Sequence, residues 1–261
     1  MNYGFHLSTA GVVTSMRRLD TVANNLANAM TVGYKADVLT LDARLPENLE
    51  NGGLYPDTNQ ALDALGGGSL FRPTSIDLSQ GVLRDTGRPL DIAIEGDGFL
   101  VLERGAGDAG AGNDLLVTRA GALTRDAEGR VVLATSGAAV LGTDGRPIVL
   151  AGQSADLVID ASGRLFQAGE EIGRLQLVMP ADRSALRKEG RDAMRIVGGQ
   201  TVAAPAATAI RQGALEESTV DSVATLAELM RISRGIDFSM RLMQYQDQTA
   251  GRLIETFGRF A

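Results

Sequence analysis

The sequence predicts an α+β fold, mainly β, in which one helix at each end pairs as a coiled-coil-like bundle and a β-rich domain lies between them. Three observations predict it. Val12, Met16, Leu19, Ala23 and Leu26 recur with alternating spacings of four and three, the apolar seam of a helix that packs on other helices. Leu229, Ile232, Ile236, Ser239, Met243, Gln246, Ala250, Leu253, Phe257 and Phe260 keep the same register near the other end. Between them the period falls to two, and short apolar runs are separated by Gly-bearing turns, which is strand patterning.

In chain order, the first helix is expected from about Leu7 to Asn28, with Gly33 as its stop. Pro46, Asn51-Gly52-Gly53, Gly66-Gly67-Gly68 and Pro73 mark a flexible connector. Strands are expected at Leu90–Ile94, Phe99–Leu102, Leu115–Arg119, Arg130–Leu133, Ile148–Leu150, Leu157–Ile159, Leu175–Met179 and Arg195–Val197. Asp126 to Arg130, Asp144 to Arg146 and Asp160 to Arg164 each join an Asp to a Gly-Arg, the chemistry of a tight turn. Ser218 or Asp221 is placed to cap the last helix. The expected organisation is thus a helical segment 1–35, an extended connector 36–80, a β-rich domain 81–212 and a helical segment 213–261.

Composition narrows the chemistry. The 261 residues include no Cys, one His and no Trp, which removes thiol nucleophiles, disulfides, thiolate zinc and His-pair metal sites. Neither a cofactor nor a metal is expected. Aromatics at 4% and a pI near 4.9 argue against stacking platforms and nucleic-acid partners. Residues 1–40 carry a net +1 and residues 231–261 a net +2, so the middle holds −10 of the total −7. No apolar run is long enough to span a membrane, and no cleavable signal pattern opens the chain, so neither insertion nor signal-peptide export is expected.

Two seams pairing only with each other would each be buried on one side. Helices from neighbouring subunits would complete the burial, so the ends are expected to fold on assembly.

Five motifs, in order, resemble the bacterial flagellar rod and hook proteins. They are Ala23-Asn24-Asn25-Leu26-Ala27-Asn28 with Thr31-Val32-Gly33-Tyr34-Lys35; Gly81-Val82-Leu83 with Thr86-Gly87-Arg88-Pro89-Leu90-Asp91-Ile92-Ala93-Ile94 and Gly96-Asp97-Gly98-Phe99; Thr118-Arg119-Ala120-Gly121; Val140 to Ile148; and Gln212-Gly213-Ala214-Leu215-Glu216-Glu217-Ser218-Thr219-Val220. The resemblance implies a structural rod subunit of the basal body that spans the periplasm between motor and hook. Its implied partners are other copies of itself, other rod proteins and the flagellar type III export apparatus. The ending Arg241-Leu242-Met243 to Arg252-Leu253-Ile254 is closer to the proximal than to the distal type. Thr219 where Asn is usual, Leu100 for a second Phe and Ala29-Met30 for a more polar pair depart from the pattern.

The expected assembly interface comprises Val12, Met16, Leu19, Ala23, Asn24, Asn25, Leu26 and Asn28 in the first helix, and Leu229, Ile232, Ile236, Met243, Leu253 and Phe257 in the last. Asn24 and Asn28, four apart, share a face and would donate uncharged amide bonds to neighbouring helices. The alternative is that asparagines merely mark a fraying helix end. Gly33, Tyr34, Gly87, Pro89, Leu90, Asp91, Gly96, Gly98, Phe99, Gln212, Gly213, Leu215 and Glu216 carry the motifs as structural positions.

Two other readings compete, an enzyme acting on envelope polysaccharide and a monomeric adhesin. Gly96-Asp97-Gly98 is a turn rather than a dinucleotide loop, since Val101 replaces the third Gly and a strand follows. Glu95 with Asp97, and Glu170 with Glu171, read as solvated carboxylates rather than an acid/base pair. His6 lacks partners, and Met230, Met240 and Met243 read as packing. Single amide replacements of Glu95, Asp97, Glu170 or Glu171 are therefore expected to leave swimming and rod yield near normal. Loss of function in a variant that still assembles at wild-type abundance would mean that a proton transfer depends on that carboxyl.

Overall fold

The computed structural model describes residues 3–43, 45, 68–72, 74–104, 114–151, 157–205 and 207–258. It divides into two units, one built from Met1–Ala27, Asp37–Ser75 and Ser222–Ala261, the other from Asn28–Ala36 and Ile76–Asp221. The secondary structure is mainly β with one long helix near each end.

In the first unit, helix α1 (Tyr3–Ala27) packs on helix α2 (Ser222–Gly258). They run antiparallel, because Thr9 contacts Met243 while Arg18, farther along α1, pairs with Glu228, farther back along α2. Val22, Ile232 and Ile236 are buried at the contact, and Val12, Leu19 and Leu229 pack against them. From Leu229 to Gln246 only Leu229, Ile232, Ile236, Ser239, Met243 and Gln246 escape full exposure, the 3-4 register of the apolar pattern. The side chains of Ala250, Leu253 and Phe257, and all of Phe260, lie outside the described residues.

On α1 the register turns by one residue. Val22, not Ala23, is buried, and Met16 is 52% exposed. The reason is a second covered side: Thr14 and Asn25 are buried as well, and the strands Asp37–Val38 and Ser69–Phe71 contact α1 away from α2. The latter strand pairs antiparallel with Leu41–Ala43, and the Arg17 guanidinium lies 4.5 Å from the Phe71 ring centroid. The helix also ends earlier than expected. After Ala27 the chain enters a turn in which the Thr31 amide donates to the Asn28 carbonyl at 3.1 Å, so Gly33 is not the helix stop. Most of the expected connector, including Pro46, Asn51-Gly52-Gly53 and Pro73, lies outside the described residues.

The second unit is β-rich. Its largest sheet has six antiparallel strands in the order Leu186–Glu189, Ala193–Ile196, Leu115–Thr118, Phe99–Leu102, Leu177–Pro180 and Thr201–Ala203. Leu100 and Leu102 enter one apolar cluster with Ile92, Ile94 and Leu133, while Phe99 and Val101 enter another with Val117 and Ile196. A strand covered on both faces has no polar side, which is why this one reads as a continuous apolar run. A second sheet joins Leu157–Ile159, Arg164–Gln167 and Glu170–Arg174. Ile92–Glu95 pairs with Ala209–Gln212, and Leu83–Asp85 with Ala214–Glu216. Ile148–Leu150 does not form the expected strand; only Val149 makes an isolated bridge, to Arg130.

The Asp turns work as hydrogen-bond hubs. Asp160 Oδ1 accepts from the Ser162 and Arg164 amides at 2.9 Å, and Oδ2 accepts from Arg164 Nε at 2.9 Å. Asp126 holds Arg130 in the same way, with both bonds at 2.7 Å. Gly163 and Gly129 follow with φ of 82° and 87°, values that L side chains adopt at a cost. The Ser162 hydroxyl first, then the Arg164 amide, hold the Asp160 carboxyl at about 2, below its ordinary 3.8. A carboxyl depressed on folding stabilises above its ordinary value and loses that contribution as the pH falls through the folded value. Asp160→Asn is thus expected to melt at a lower temperature than the parent at neutral pH. Thermal melts recorded at decreasing pH should converge as the pH nears about 2. A gap that persists unchanged at that acidity would show that the charge of Asp160 is not what the turn uses.

Candidate assembly site

The helix residues divide by exposure. Val12, Leu19, Leu229, Ile232 and Ile236 form the contact between α1 and α2, with Met243 half-buried farther along and Leu26 half-buried near the end of α1. Met16, Ala23 and Asn24 are exposed. Asn25 is buried and fully used within the chain: its Nδ2 donates to the Asp37 carbonyl at 2.8 Å and its Oδ1 accepts from the Asp37 amide at 2.9 Å. A side-chain amide matches a peptide group in donor and acceptor, so Asn25 ties α1 to the following strand. Asn28 Oδ1 accepts from the Thr31 hydroxyl at 3.2 Å. Beyond the shared contact, apolar side chains stay exposed on other faces, among them Val13 on α1 and Phe238 and Tyr245 on α2, the last two at 68% and 67%.

The motif residues converge elsewhere, within the β-rich unit. Glu216 is fully buried on the Ala214–Glu216 strand. Its Oε1 accepts from Lys35 Nζ at 2.5 Å and from the Gly81 amide at 2.8 Å, and its Oε2 accepts from Arg119 Nη1 at 3.3 Å. Lys35 Nζ also donates to the Ser79 carbonyl at 2.5 Å, and Arg119 donates to the carbonyls of Ile94 at 3.3 Å and Gly96 at 2.7 Å. The Arg119 guanidinium lies 5.2 Å from the Phe99 ring centroid. Burial pushes the Lys35 ammonium below the usual lysine range and lowers Arg119 too, while Glu216 pulls each of them back up.

Around these charges the backbone closes. The Gly33 amide donates to the Glu216 carbonyl at 2.8 Å, the Thr219 amide to the Tyr34 carbonyl at 3.1 Å, and the Ala36 amide to the Thr219 hydroxyl at 2.9 Å. Gly33 has φ 68°, and a Cβ there would strike the Arg119–Ala120 backbone. Tyr34 is buried under Lys188, whose Nζ is 3.7 Å from the ring centroid.

A neighbouring turn uses the rest of the motifs. The Gly213 amide donates to the Asp91 carbonyl at 2.7 Å, and the Gly213 carbonyl accepts from Thr86 and Gly87 at 2.7 and 3.0 Å. Gln212 Nε2 donates to the carbonyls of Pro89 and Leu157 at 2.8 Å, while its Oε1 accepts from the Ile159 amide at 3.1 Å. Arg88 holds Asp91 through two bonds of 2.8 Å, Leu90 is half-buried and Leu215 is buried. Gly96 and Gly98 flank Asp97, and Phe99 is buried beyond them. The acids once paired as candidates stand apart in role: Glu95 lies 3.6 Å from Arg211, Asp97 lies 3.9 Å from Arg183, and Glu170 and Glu171 are exposed on one strand.

Lys35 and Arg119 were visible only as motif letters. Their signal is a charge set among Gly and apolar residues inside an ordered motif, which is costly to bury unless a counter-charge waits elsewhere.

Comparison with known proteins follows the same segments. Residues 14–35 match the family model "Flagella basal body rod protein", and residues 211–256 match "Flagellar basal body rod FlgEFG protein C-terminal". The first match includes Lys35 and the second includes Glu216. The chain is 28% identical to the flagellar basal-body rod protein FlgF of Rhizobium meliloti and 26% identical to that of Caulobacter vibrioides, each over 99% of both chains. It is 27% identical to the flagellar basal-body rod protein FlgG of Bacillus subtilis over 94% of this chain and 95% of that one.

Removing one member of the buried triad tests what it contributes. Glu216→Gln strands two buried cations and is expected to cost about 3–5 kcal/mol of unfolding free energy. Lys35→Met leaves Arg119 and Glu216 paired and should cost less. Urea midpoints of the two variants check the order, and equal or reversed losses would mean that the cations do not depend on Glu216.

Proposed function

We propose that the chain is a structural, non-enzymatic rod subunit like the flagellar basal-body rod proteins FlgF and FlgG that it resembles over nearly its whole length, and that α1 and α2 are the elements through which its copies and other rod proteins pack into the tubular shaft between motor and hook. The carrying observation is that the helix pair remains apolar away from its internal contact. Val13, Met16, Phe238 and Tyr245 are each about half exposed or more. A helix that is apolar on more than one face needs more than one packing partner. Neighbouring helices extending the paired seam as a coiled-coil-like bundle supply it.

The proximal rather than the distal position in the rod is supported by the ending Arg241-Leu242-Met243 to Arg252-Leu253-Ile254. Passage through the flagellar type III apparatus, which the motif resemblance implies, completes the reading. Among the described residues no helix is long and apolar enough to cross a membrane.

Leu26 tests the packing argument, because it is half-buried near the end of α1. Leu26→Asp would set a carboxylate where a neighbouring helix should close, at a cost of several kcal/mol in every subunit contact. The expected result is a folded β-rich unit that is absent from isolated rods, in cells without hooks. Asp20→Asn, at an exposed position, should be mild. Secretion is measured in parallel: variant protein that is exported but unassembled supports the reading, and normal rods built from Leu26→Asp overturn it.

A further inference from the structure

Six of the eight charges of α2 are sorted by face, the other two being Glu228 and Arg231, which pair with each other. At ~100° per residue, Arg234, Arg241 and Arg252 fall with Phe238 and Tyr245 inside an arc of ~60°, whereas Asp237, Asp247 and Glu255 fall inside another of ~80°. The residues of both arcs are exposed. Among the described residues none of the six charges joins an ion pair, including Asp237 and Arg241, which stand four apart. The basic arc lies on the side opposite the α1 contact, and the acidic arc on a flank between the two.

A random solvated face would mix the signs along each line of the helix. Here one line is cationic and aromatic and another anionic, so the helix carries both halves of a complementary contact. They do not fit in a single contact. The packing of α1 on α2 occupies ~100° of the α2 surface, from Gln246 to Leu229, while the two charged arcs together span ~180°. A two-fold dimer would require one self-complementary patch; two separate, complementary faces produce a heterologous contact that repeats in one direction.

Resting on the assembly reading above, we propose that a second copy of this chain is the occupant, and that the Arg234–Phe238–Arg241–Tyr245–Arg252 face of one α2 docks on the Asp237–Asp247–Glu255 face of the next. The aromatic rings supply buried area at the centre of the contact, and the charges set its direction and exclude the like-faced arrangement.

Two full-length variants test this. Arg234→Glu with Arg241→Glu makes both faces acidic; Asp237→Arg with Glu255→Arg makes both basic. Each is produced alone, and both together, in cells lacking the parent gene, and the chain is quantified in isolated basal bodies. Each variant alone should be depleted at least ~10-fold relative to the parent, and the two together should be recovered, because both contacts in an alternating array are then complementary. Far-UV circular dichroism and melting of the purified variants confirm that the fold is unchanged.

Incorporation of either variant alone at the parent level overturns the proposal and leaves the rod reading intact. Failure of the mixture to recover with folded variants, or sedimentation of the mixture as a closed dimer, also overturns it. So does binding of the parent to anionic phosphatidylglycerol vesicles that the arginine variant loses while still entering rods. Absence of the parent chain from basal bodies is a separate outcome, which removes the rod reading itself.

Discussion

A carboxylate with no access to water needs donors on both oxygens, and for Glu216 they come from three places far apart in the chain. Lys35, Gly81 and Arg119 meet it from different segments, and each cation in turn also donates to a backbone carbonyl. The triad carries a net positive charge in a buried place, so its members hold position only together. That mutual dependence draws residues 28–36 and 213–221 into the β-rich unit although they adjoin the helices in sequence. The close approach of the Arg119–Ala120 backbone leaves no room for a Cβ at Gly33, so that glycine and the ion pairs of Glu216 answer to one constraint.

The helical unit follows a different logic. Its internal contact is small, with Val22, Ile232 and Ile236 buried at the centre, and α1 gains a second support from the strand that Asn25 holds through a two-point amide bond. This support accounts for the one-residue turn of the α1 seam. Met16, Phe238 and Tyr245 stay exposed beside it. Charged and amide chemistry thus fixes the geometry inside the chain, while the apolar faces left uncommitted are the ones proposed above for assembly.

Much of this was legible in the residues. The α2 seam follows from the 3-4 spacing, since a long helix with one internal partner exposes or buries its side chains by periodicity alone. Phe99–Leu102 and Leu157–Ile159 were readable because apolar runs of that length between turn residues suit a strand. Strands such as Glu170–Arg174 and Leu186–Glu189 were not, because their polar residues resemble loops until a neighbouring strand supplies the hydrogen bonds.

By itself the sequence determined the layout of helix, β-rich body and helix, the Asp-Gly-Arg turns and the family resemblance, because each rests on periodicity, local hydrogen bonding or the order of short motifs. The tertiary structure alone decided which face of α1 is buried, that Asn25 is spent on Asp37, and that Lys35, Arg119 and Glu216 share one buried site. Those outcomes depend on which distant segments become neighbours. A charge or an amide in a linear chain does not reveal its partner, since desolvation and counter-charge exist only once the surrounding segments have packed.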